Sequence, residues 1–592
     1  MLLLSSLFVV FHTHVVLDAD GESLGVKGNK FIKNEAAPRK AKVEVVFDIP
    51  LPQWWLQAHS SRLSSEEHPK PQREISHDIV DKSLEHVAAA VAAAAAAAAA
   101  GAAAEPVARM APPPKAEPPV ERMIAPPAVA AHTRTQAEQD AQDENCPHIE
   151  ELRYWQQPTE RDLKWHNPYL SKGVHSKYVT FEPDVGGWNN IRMQMEIVLV
   201  FAFATGRTLV LPPDQPMYLL NKGKGHQKHH NFRDFFPFDR ISTRVPVISM
   251  EEFMAREGVT GRLRRNSDNQ VYLPPGNKTS FDGTNREDRN LMWEYLRNVT
   301  ACPPWKGMYD YVIIPPFPGF NSTKSPYAQQ YNKRAVVFAG DPKFGQKRVA
   351  NWYDLYWHQQ HVVHFISKPG LGFRLLEHFY TFLHFEDPFM DRFFKRFVRD
   401  YVHYLPTIFC KGAVIIHLLR QEAAELAGQS QGKGQYSSFH VRRGELQYKE
   451  VKVNASTLIA TVKDVLPPKE LLFIASDENG KGYFDAIKDQ GFAIRRLDNF
   501  LDVPGLGLRS LNPNYLGMLD QVICSGGRVF VGTWYSTFSG YITRMRGYLG
   551  WPDNSTWYGD VSHKRRFQKY ELPRFPWYMR EFPISWRGID KP

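Results

Sequence analysis

The residues best suited to chemistry follow short apolar runs that have the pattern of β-strands. One such run ends in the segment HVRRGE, His440–Glu445. Two arginines at a strand end place fixed cations where a phosphate could bind, because the guanidinium fork matches phosphate oxygens with two hydrogen bonds. His440 and Arg442 alternate with Val441, so they share one face of the strand. An ion pair with a carboxylate of another domain is the alternative use of Arg442 or Arg443.

Three further segments carry groups of the same kind. The segment GGWNN, Gly186–Asn190, has two glycines that allow a ligand to approach the backbone, and it precedes a helix whose amino terminus favours an anion. Asp477 and Glu478 follow another strand, where a carboxylate suits ribose hydroxyls or a base edge. Ser536 and Thr537 open a further helix, whose first N–H groups form a second anion cradle. A tight turn, a solvated helix cap and ordinary capping by Ser536 are the respective alternatives.

These four segments predict one diphosphate site. The carboxyl ends of parallel strands meet at one edge of a sheet, and ligands bind in the crevice outside them. One diphosphate ligand explains the recurrence of cationic and donor-rich groups at such an edge better than four separate accidents. The globular part contains no Walker sequence, no G-x-G-x-x-G, no D-x-D and no C-x-x-C. A nucleotide held by a D-x-D metal is therefore disfavoured, and we expect no metal site.

The elements that must position these groups alternate along the chain. The predicted strands are Tyr178–Phe181, Thr208–Leu211, Tyr311–Ile314, Ala335–Phe338, Tyr436–Val441, Leu471–Ala475, Phe492–Leu497 and Arg528–Val531. The predicted helices are Ile191–Ala204, Asn454–Val465, Tyr483–Lys488, Asn514–Cys524 and Ser536–Arg546, with aromatic-rich helical segments over 350–405. Strands that alternate with helices predict parallel, doubly wound sheets. The predicted fold class is α/β, with two Rossmann-like domains that face a cleft.

The composition places the globular part after residue 145. The 592 residues are 43% hydrophobic and carry a net charge of +10, which excludes a wholly disordered or collagen-like chain. Alanine fills fifteen of the seventeen positions in Ala88–Ala104. We predict a signal peptide or signal anchor over 1–17, a disordered low-complexity stalk over 18–145, and α/β domains over 146–405 and 406–592. The apolar stretch within 1–17 is too short to span a bilayer, which needs about 20 residues.

Cysteines and sequons bear on the compartment. The four cysteines allow two disulfides in three pairings, or four buried thiols. They are Cys146, Cys302, Cys410 and Cys524. The N-x-S/T sequons all lie in the predicted globular region, at Asn277, Asn298, Asn321, Asn454 and Asn554. Because such sequons are glycan sites in secreted chains, we expect entry into the secretory pathway, with membrane contact only through the N-terminus.

Together the motifs resemble those of the GDP-fucose protein O-fucosyltransferase family. GGWNN, the helix after it and TGRTLVLPP resemble the first motif of that family, and HVRRGE resembles its H-x-R-R-x-D signature. The segment SDE, Ser476–Glu478, and the run from Asp520 through VFVGTWYSTFSGYITRMR resemble its last conserved blocks. The order and spacing of the motifs match over about 174–550.

The resemblance implies a two-domain glycosyltransferase of the B-type fold in the lumen of the endoplasmic reticulum or Golgi. It implies GDP-fucose as the donor, inversion at the sugar carbon, a protein or glycan hydroxyl as the acceptor, and no cofactor or essential metal. In that arrangement 146–405 is the acceptor-side domain and 406–592 binds the nucleotide sugar. No nucleic-acid partner is expected, because basic and aromatic residues do not interleave into a nucleic-acid-binding stripe.

The family's functional residues fall on particular positions of this chain. Arg442 falls on the arginine that neutralises the departing GDP, and is the catalytic candidate. The donor-binding candidates are Gly187, Asn189, Asn190, His440, Arg443, Asp477, Ser536, Thr537 and Phe538.

The chain departs from the family pattern in two places. Glu445 stands where the signature has Asp, and Gly186-Gly187 stands where some members carry a carboxylate proposed as the base. The base is left open among Asp184, Glu182 and Glu445, or the leaving group drives the reaction without a strong base. Two other functions stay open, namely a transferase that uses another nucleotide sugar and a non-catalytic carbohydrate-binding protein that kept the fold.

Overall fold

The computed structural model describes two compact units, Met1–Ala125 and Pro126–Pro592. The described residues are 16–17, 23–27, 30–32, 146–170, 177–218, 220, 229–264, 269, 271–300, 302–303, 310–320, 348–352, 356–368, 374–428, 434–568 and 581–591. In the first unit the strands β1 (Val16–Leu17), β2 (Ser23–Lys27) and β3 (Lys30–Ile32) pair antiparallel. Since β2 and β3 lie in the predicted stalk, its disorder is not confirmed. Other residues of the predicted leader and stalk, and the predicted strand Ala335–Phe338, lie outside the described residues.

The second unit alternates strands with helices. Its described strands are β4 (Tyr178–Phe181), β5 (Thr208–Leu211), β6 (Val247–Ser249), β7 (Asp310–Ile314), β8 (Arg348–Asn351), β9 (Val362–Phe365), β10 (Leu383–Phe385), β11 (Tyr436–Val441), β12 (Leu471–Ser476), β13 (Ala493–Arg495), β14 (Phe530–Gly532) and β15 (Thr556–Tyr558). Its described α-helices are α1 (Glu160–Lys164), α2 (Trp188–Ala204), α3 (Phe238–Ser242), α4 (Met250–Phe253), α5 (Arg286–Val299), α6 (Phe379–Phe382), α7 (Pro388–Tyr401), α8 (Pro406–Leu426), α9 (Ala455–Val462), α10 (Asp485–Lys488), α11 (Leu516–Ser525) and α12 (Thr537–Tyr548).

A five-stranded sheet carries most of the predicted site. Its order is β13-β12-β11-β14-β15, and all of its pairs are parallel. The chain builds outward from β11 to β13 and then continues on the other side of β11 with β14, so the order reverses between β11 and β14. Such a reversal opens a crevice at the carboxyl ends of two central strands. Arg442 follows β11 and Thr533 follows β14, so both residues lie at this crevice.

Two further parallel sheets belong to the same unit. One has the order β6-β5-β4-β9, which reverses between β4 and β9, and the glycine segment follows β4. The other has the order β10-β7-β8. The predicted α/β class with parallel sheets is therefore confirmed, while the boundaries at 145 and 405 stay predictions.

The predicted elements that fall on described residues are present, with shifts of a few residues at their ends. The aromatic stretch over 350–405 is the exception, because it holds β9 and β10 as well as α6 and α7. Strands such as VVHF in β9 are buried at every position, so they lack the alternation that separates a strand from a buried helix. Helix α8 was not predicted, although Pro406 at its first position and the apolar spacing after it are helix signals.

Helix α2 and helix α12 are joined by a buried ion-pair network. Arg544 on α12 has a fully buried side chain. Its Nη1 donates to both carboxylate oxygens of Glu196 on α2, at 2.7 and 2.6 Å, and its Nε donates to Glu581 Oε1 at 2.6 Å. Tyr380 and Trp586 donate to the other oxygen of Glu581 at 2.8 and 3.2 Å. The network therefore ties two helices and the C-terminal segment into one body.

One disulfide and one helix pair complete the description of this unit. Cys146 is bonded to Cys410, whereas Cys302 and Cys524 are free thiols. The described residues thus contain one disulfide, which joins the segment before α1 to helix α8, and not the two that the sequence allowed. Among the described helices, none is long and apolar enough to cross a bilayer alone, and only α7 and α8, bent by 76°, reach that threshold as a pair.

Replacing the buried Arg544 should lower the stability of the unit more than replacing an exposed arginine. We expect Arg544→Met to lower the free energy of unfolding by about 3 to 5 kcal/mol, because it removes the cation that two buried carboxylates share. Arg509→Met is the matched control, since Arg509 and its partner Asp502 have side chains that are 66% and 76% exposed. Urea unfolding of the two variants measures the difference, and equal midpoints would contradict the assigned role.

Candidate active site

Most of the predicted site residues meet in one cavity. The cavity has a volume of about 700 Å³ and lies at the carboxyl ends of β11 and β12 and at the starts of α2 and α12. The predicted residues that line it are Gly187, Asn189, Asn190, His440, Arg442, Glu445, Asp477, Ser536, Thr537 and Phe538. The predicted residues that do not line it are Glu182, Asp184 and Arg443.

Asp477 shapes the turn that presents Arg442. Its Oδ2 accepts from Arg442 Nη1 and, at 3.0 Å, from the N–H of Gly444, while its Oδ1 accepts from the N–H of Arg443 at 2.7 Å. A Cβ at Gly444 would lie 2.5 Å from Asp477 Oδ2, so only glycine allows this approach. Asp477 therefore positions the arginine turn, and because it also lines the cavity, its role as a ribose or base ligand stays a prediction.

Arg443 points away from the cavity. Its Nε donates to Glu478 at 3.1 Å, its Nη1 donates to the carbonyls of Lys452 and Val453, and its guanidinium lies 4.8 Å from the ring centroid of Tyr483. The position of Arg443 outside the cavity lining therefore gives no support to the prediction that it contacts the donor. Neighbouring residues on a strand end face opposite sides, so only Arg442 of the two arginines faces the ligand space.

Two helix amino termini open onto the cavity without a side-chain cap. Helix α2 begins after Gly187 and helix α12 begins after Ser536, and neither flanking residue makes a capping hydrogen bond. Ordinary capping by Ser536 is thus not what the structure shows. Uncapped N–H groups at a helix start form an anion site together with the positive end of the helix dipole. Thr537 Oγ1 donates to Asn190 Oδ1 at 3.0 Å, which holds the two helix starts side by side.

His440 is a neutral ring on the cavity wall. Burial lowers its pKa to about 3, and Arg442 acts in the same direction. Its Nδ1 lies 2.7 Å from Ser539 Oγ, which accepts the N–H of Thr533 at 2.9 Å. His440 Nδ1 and Ser539 Oγ thus share one hydrogen bond, whose donor is set by the tautomer of the ring. The ring stacks on Phe538, with centroids 4.3 Å apart.

The glycine segment is held by an ion pair that sequence reasoning missed. Arg374 donates to Asp184 through Nε at 2.5 Å and through Nη2 at 2.8 Å, and the N–H of Gly186 donates to the same carboxylate at 2.7 Å. A Cβ at Gly186 would lie 2.6 Å from Arg374 Nη2 and 2.7 Å from Asp184 Oδ1. Asp184 is thus engaged behind the loop, while Arg374 lines the cavity as a second cation.

Glu182 is engaged in the same manner on the strand side. Although burial alone would raise its pKa, hydrogen bonds from His364 and Arg297 lower the pKa of Glu182 to about 2. Arg297 Nε donates to it at 2.6 Å. A carboxylate with so low a pKa is a weak base, and Glu182 lies outside the cavity lining, so its candidacy as the base is not supported by its position.

Glu445 differs from these two carboxylates. It is exposed and lines the cavity, and its Oε2 accepts from the hydroxyl of Tyr218 at 2.6 Å. Among the three sequence candidates for a base, it alone borders the space in which a substrate would lie.

Asp520 is a cavity residue that the sequence analysis did not select. Burial raises its pKa to about 8, and among the described groups none donates to its Oδ1. Its position inside the last conserved block was the available signal. A half-buried carboxyl on the wall of a cavity, with one oxygen that no described donor reaches, is suited to receive a ligand that brings its own hydrogen-bond donors.

Within the described ranges, no three His, Cys, Asp or Glu side chains come together in a way that could hold a metal ion.

Comparisons with known proteins identify the family. The family model for GDP-fucose protein O-fucosyltransferase matches residues 178–549, which is more than half of the chain. No curated protein matches the chain. The site residues discussed above, from Glu182 to Phe538, all lie within the matched region.

Solved structures of fucosyltransferases are similar at low identity. POFUT1 in complex with GDP is 14% identical, covers 65% of this chain and 98% of its own, and gives a TM-score of 0.28. POFUT1 in complex with GDP-fucose is 13% identical over 66% and 99%, with a TM-score of 0.27. The fucosyltransferase NodZ from Bradyrhizobium is 10% identical over 60% and 88%, with a TM-score of 0.28.

Membership rests on the family match and on its extent. The resemblance that the motifs indicated is confirmed, and the chain belongs to the GDP-fucose protein O-fucosyltransferase family and is a GDP-fucose-dependent fucosyltransferase.

Proposed function

We propose that the chain transfers fucose from GDP-fucose to a hydroxyl group of a protein or glycan acceptor, with inversion at the anomeric carbon. One observation carries the proposal: Arg442, held by Asp477, lies on the wall of a cavity onto which two uncapped helix starts also open. This arrangement supports a diphosphate between Arg442 and the starts of α2 and α12. The five-stranded sheet and the four-stranded sheet would then belong to the two domains of a B-type glycosyltransferase, with the donor between them.

The chemistry asks the protein to stabilise a leaving GDP. As the bond between the anomeric carbon and the phosphate oxygen breaks, its electron pair stays on the diphosphate. A cation that is already oriented stabilises this charge more in the transition state than in the ground state. Arg442 suits this role because its guanidinium is partly exposed and keeps donors besides the one bound to Asp477. No metal or cofactor is assigned to the step.

Asp520 is the proposed reader of the nucleobase. The N1–H and N2–H groups of guanine are adjacent donors that match the two oxygens of one carboxylate. Uracil offers one such donor, so a carboxylate at this position favours GDP over UDP. This favours GDP-fucose over a uridine-based donor sugar, which was one of the open alternatives.

Glu445 is the proposed base. In an inverting displacement the acceptor oxygen bonds to the anomeric carbon on the face opposite GDP, and its proton passes to a nearby carboxylate. Glu445 borders the cavity, whereas Glu182 and Asp184 lie in ion pairs outside its lining.

We retain the expectation of a lumenal location in the endoplasmic reticulum or Golgi, on the grounds of the sequons and the apolar N-terminus.

Removal of the proposed catalytic cation should abolish most turnover. We expect Arg442→Ala to keep the thermal midpoint and to lower GDP release from GDP-fucose by about 10²-fold or more. Arg443→Ala is the matched control, because this neighbour binds Glu478 away from the cavity, and a much smaller loss is expected. GDP-mannose and UDP-galactose serve as comparison donors. Near-wild-type turnover in Arg442→Ala would remove its role, and no release from any donor by the wild-type chain would favour the non-catalytic alternative.

The affinity for GDP should depend on pH through Asp520. With a pKa of about 8, the carboxyl group of Asp520 is protonated at pH 7, whereas two guanine donors favour its ionised form. Binding therefore releases a proton, and the Kd for GDP should fall as pH rises from 6 to 8 and level off above it. Asp520→Asn should weaken GDP binding by about 10- to 100-fold and flatten this dependence.

Calorimetry in buffers of different ionisation enthalpy measures both the affinity and the released proton. Asp502→Asn, at an exposed surface pair, is the control and should keep the wild-type pH dependence. A pH-independent Kd in the wild-type chain would show that Asp520 does not read the base.

Loss of basicity at Glu445 should slow transfer without weakening donor binding. Glu445→Gln retains an acceptor oxygen for Tyr218 but cannot take a proton, so transfer to acceptor should fall by about 10²- to 10⁴-fold while the Kd for GDP stays the same. Glu450→Gln, which changes an exposed residue outside the cavity lining, is the control. Unchanged transfer in Glu445→Gln would assign the base elsewhere or support a reaction without one.

A further inference from the structure

A stacked pair of tyrosines lies on the cavity wall and has no part in the steps proposed so far. The ring centroids of Tyr448 and Tyr535 are 4.1 Å apart and their planes differ by 24°. Both residues are half-buried, and both line the cavity. The proposed contacts to the diphosphate and to the nucleobase are made by Arg442, by the helix starts and by Asp520, so neither tyrosine is used in them.

The backbone at Tyr535 indicates that the position of its ring matters. Its φ is +65°, in the left-handed region that a bulky side chain adopts only at a cost in free energy. The turn sends the preceding Trp534 into the interior, where it stacks on His563 with centroids 4.5 Å apart, and sends Tyr535 to the cavity. Strain of this kind persists where the surrounding structure enforces it and is concentrated at functional sites.

A carboxylate and an amide side chain lie close in sequence to Tyr448 and line the same cavity. Glu445, Gln447 and Tyr448 belong to one short segment after Arg442, and all three line the cavity. Tyr218, which is 52% exposed, donates to Glu445 from the facing side. Sugar rings present a face of C–H bonds that packs on aromatic rings and a rim of hydroxyls that pairs with carboxylate and amide groups. The segment supplies both kinds of contact at one place.

The described part of the cavity lining has no strand edge to which an extended peptide could add. Strands reach the cavity through His440, Ala475 and Ser476, which belong to β11 and β12. Both strands are flanked by neighbours on both sides, so within the described part of the lining no strand edge is open for an added peptide strand.

From these contacts we infer, resting on the proposed fucosyl transfer, that the acceptor is a carbohydrate. Its sugar ring packs on the Tyr448–Tyr535 pair, and Glu445 orients the attacking hydroxyl. The hydroxyl oxygen bonds to the anomeric carbon of fucose, the bond from that carbon to the phosphate oxygen breaks, GDP leaves with the electron pair, and the hydroxyl proton goes to Glu445.

A transfer assay with labelled GDP-fucose tests the acceptor class. The full chain is incubated with one pool of gluco-, galacto-, xylo- and rhamno-oligosaccharides and, separately, with a pool of folded and unfolded Ser/Thr-containing peptides. Label in the oligosaccharide pool and none in the peptide pool is expected. Label in peptide alone, or in neither pool while GDP-fucose is still hydrolysed, overturns the carbohydrate assignment. Failure to bind or hydrolyse GDP-fucose would instead reject the proposed function itself.

Variants of the pair test the packing directly. Tyr448→Ala should raise the KM for the labelled oligosaccharide about tenfold, the scale for losing an aromatic contact, with a smaller change in kcat. Tyr448→Phe keeps the ring and should restore the wild-type KM, which a merely structural defect would not allow. Phe317→Ala, at an exposed aromatic residue outside the lining, controls for general effects. An unchanged KM in both Tyr448→Ala and Tyr535→Ala would exclude the pair as the sugar platform.

Discussion

The buried guanidinium of Arg544 is the constraint on which the rest of the second unit depends. A cation taken fully out of water must be neutralised and hydrogen-bonded, and Glu196 and Glu581 do both. Although burial alone would lower the pKa of Arg544, these carboxylates raise it well above its usual value. Because Glu196 lies on α2 and Arg544 on α12, the ion pairs fix the two helices whose starts face the cavity. The proposed anion site is thus positioned by charged residues that lie outside the cavity lining.

The partners of a guanidinium group determine whether it can still bind a ligand, as a comparison of Arg442, Arg544 and Arg546 shows. Arg544 is neutralised by two carboxylates, and Arg546 is buried among hydroxyls and backbone carbonyls, where burial lowers its pKa to about 9. Both are committed to the fold. Arg442 is partly exposed and has one carboxylate partner, Asp477. A guanidinium with few partners at a cavity wall retains donors for a ligand, which is why only this arginine suits catalysis.

The carboxyl groups near the cavity divide by the same rule. Glu182 and Asp184 follow β4 directly, as the sequence placed them, yet each is occupied by an arginine. Glu445 keeps an exposed carboxylate at the cavity, whereas no described group donates to Oδ1 of Asp520, and burial raises the pKa of Asp520 to about 8. Residue type and position at a strand end therefore could not show which carboxylate can act as a base. That depends on whether an arginine binds the carboxylate in the folded chain.

The sequence by itself determined the strands and helices that carry the motifs, and the edge of the sheet at which the site lies. The apolar runs before Arg442 and Asp477 are strands, and the carboxyl ends of parallel strands converge whatever their side chains. Only the tertiary structure decided which of the gathered groups face the ligand. The pairing of Arg442 with Asp477 spans 35 residues and that of Arg374 with Asp184 spans 190, and local pattern carries no signal for contacts between such distant residues. The protonation of Asp520 and the stacking of Tyr448 on Tyr535 likewise depend on burial and packing, which exist only once the chain has folded.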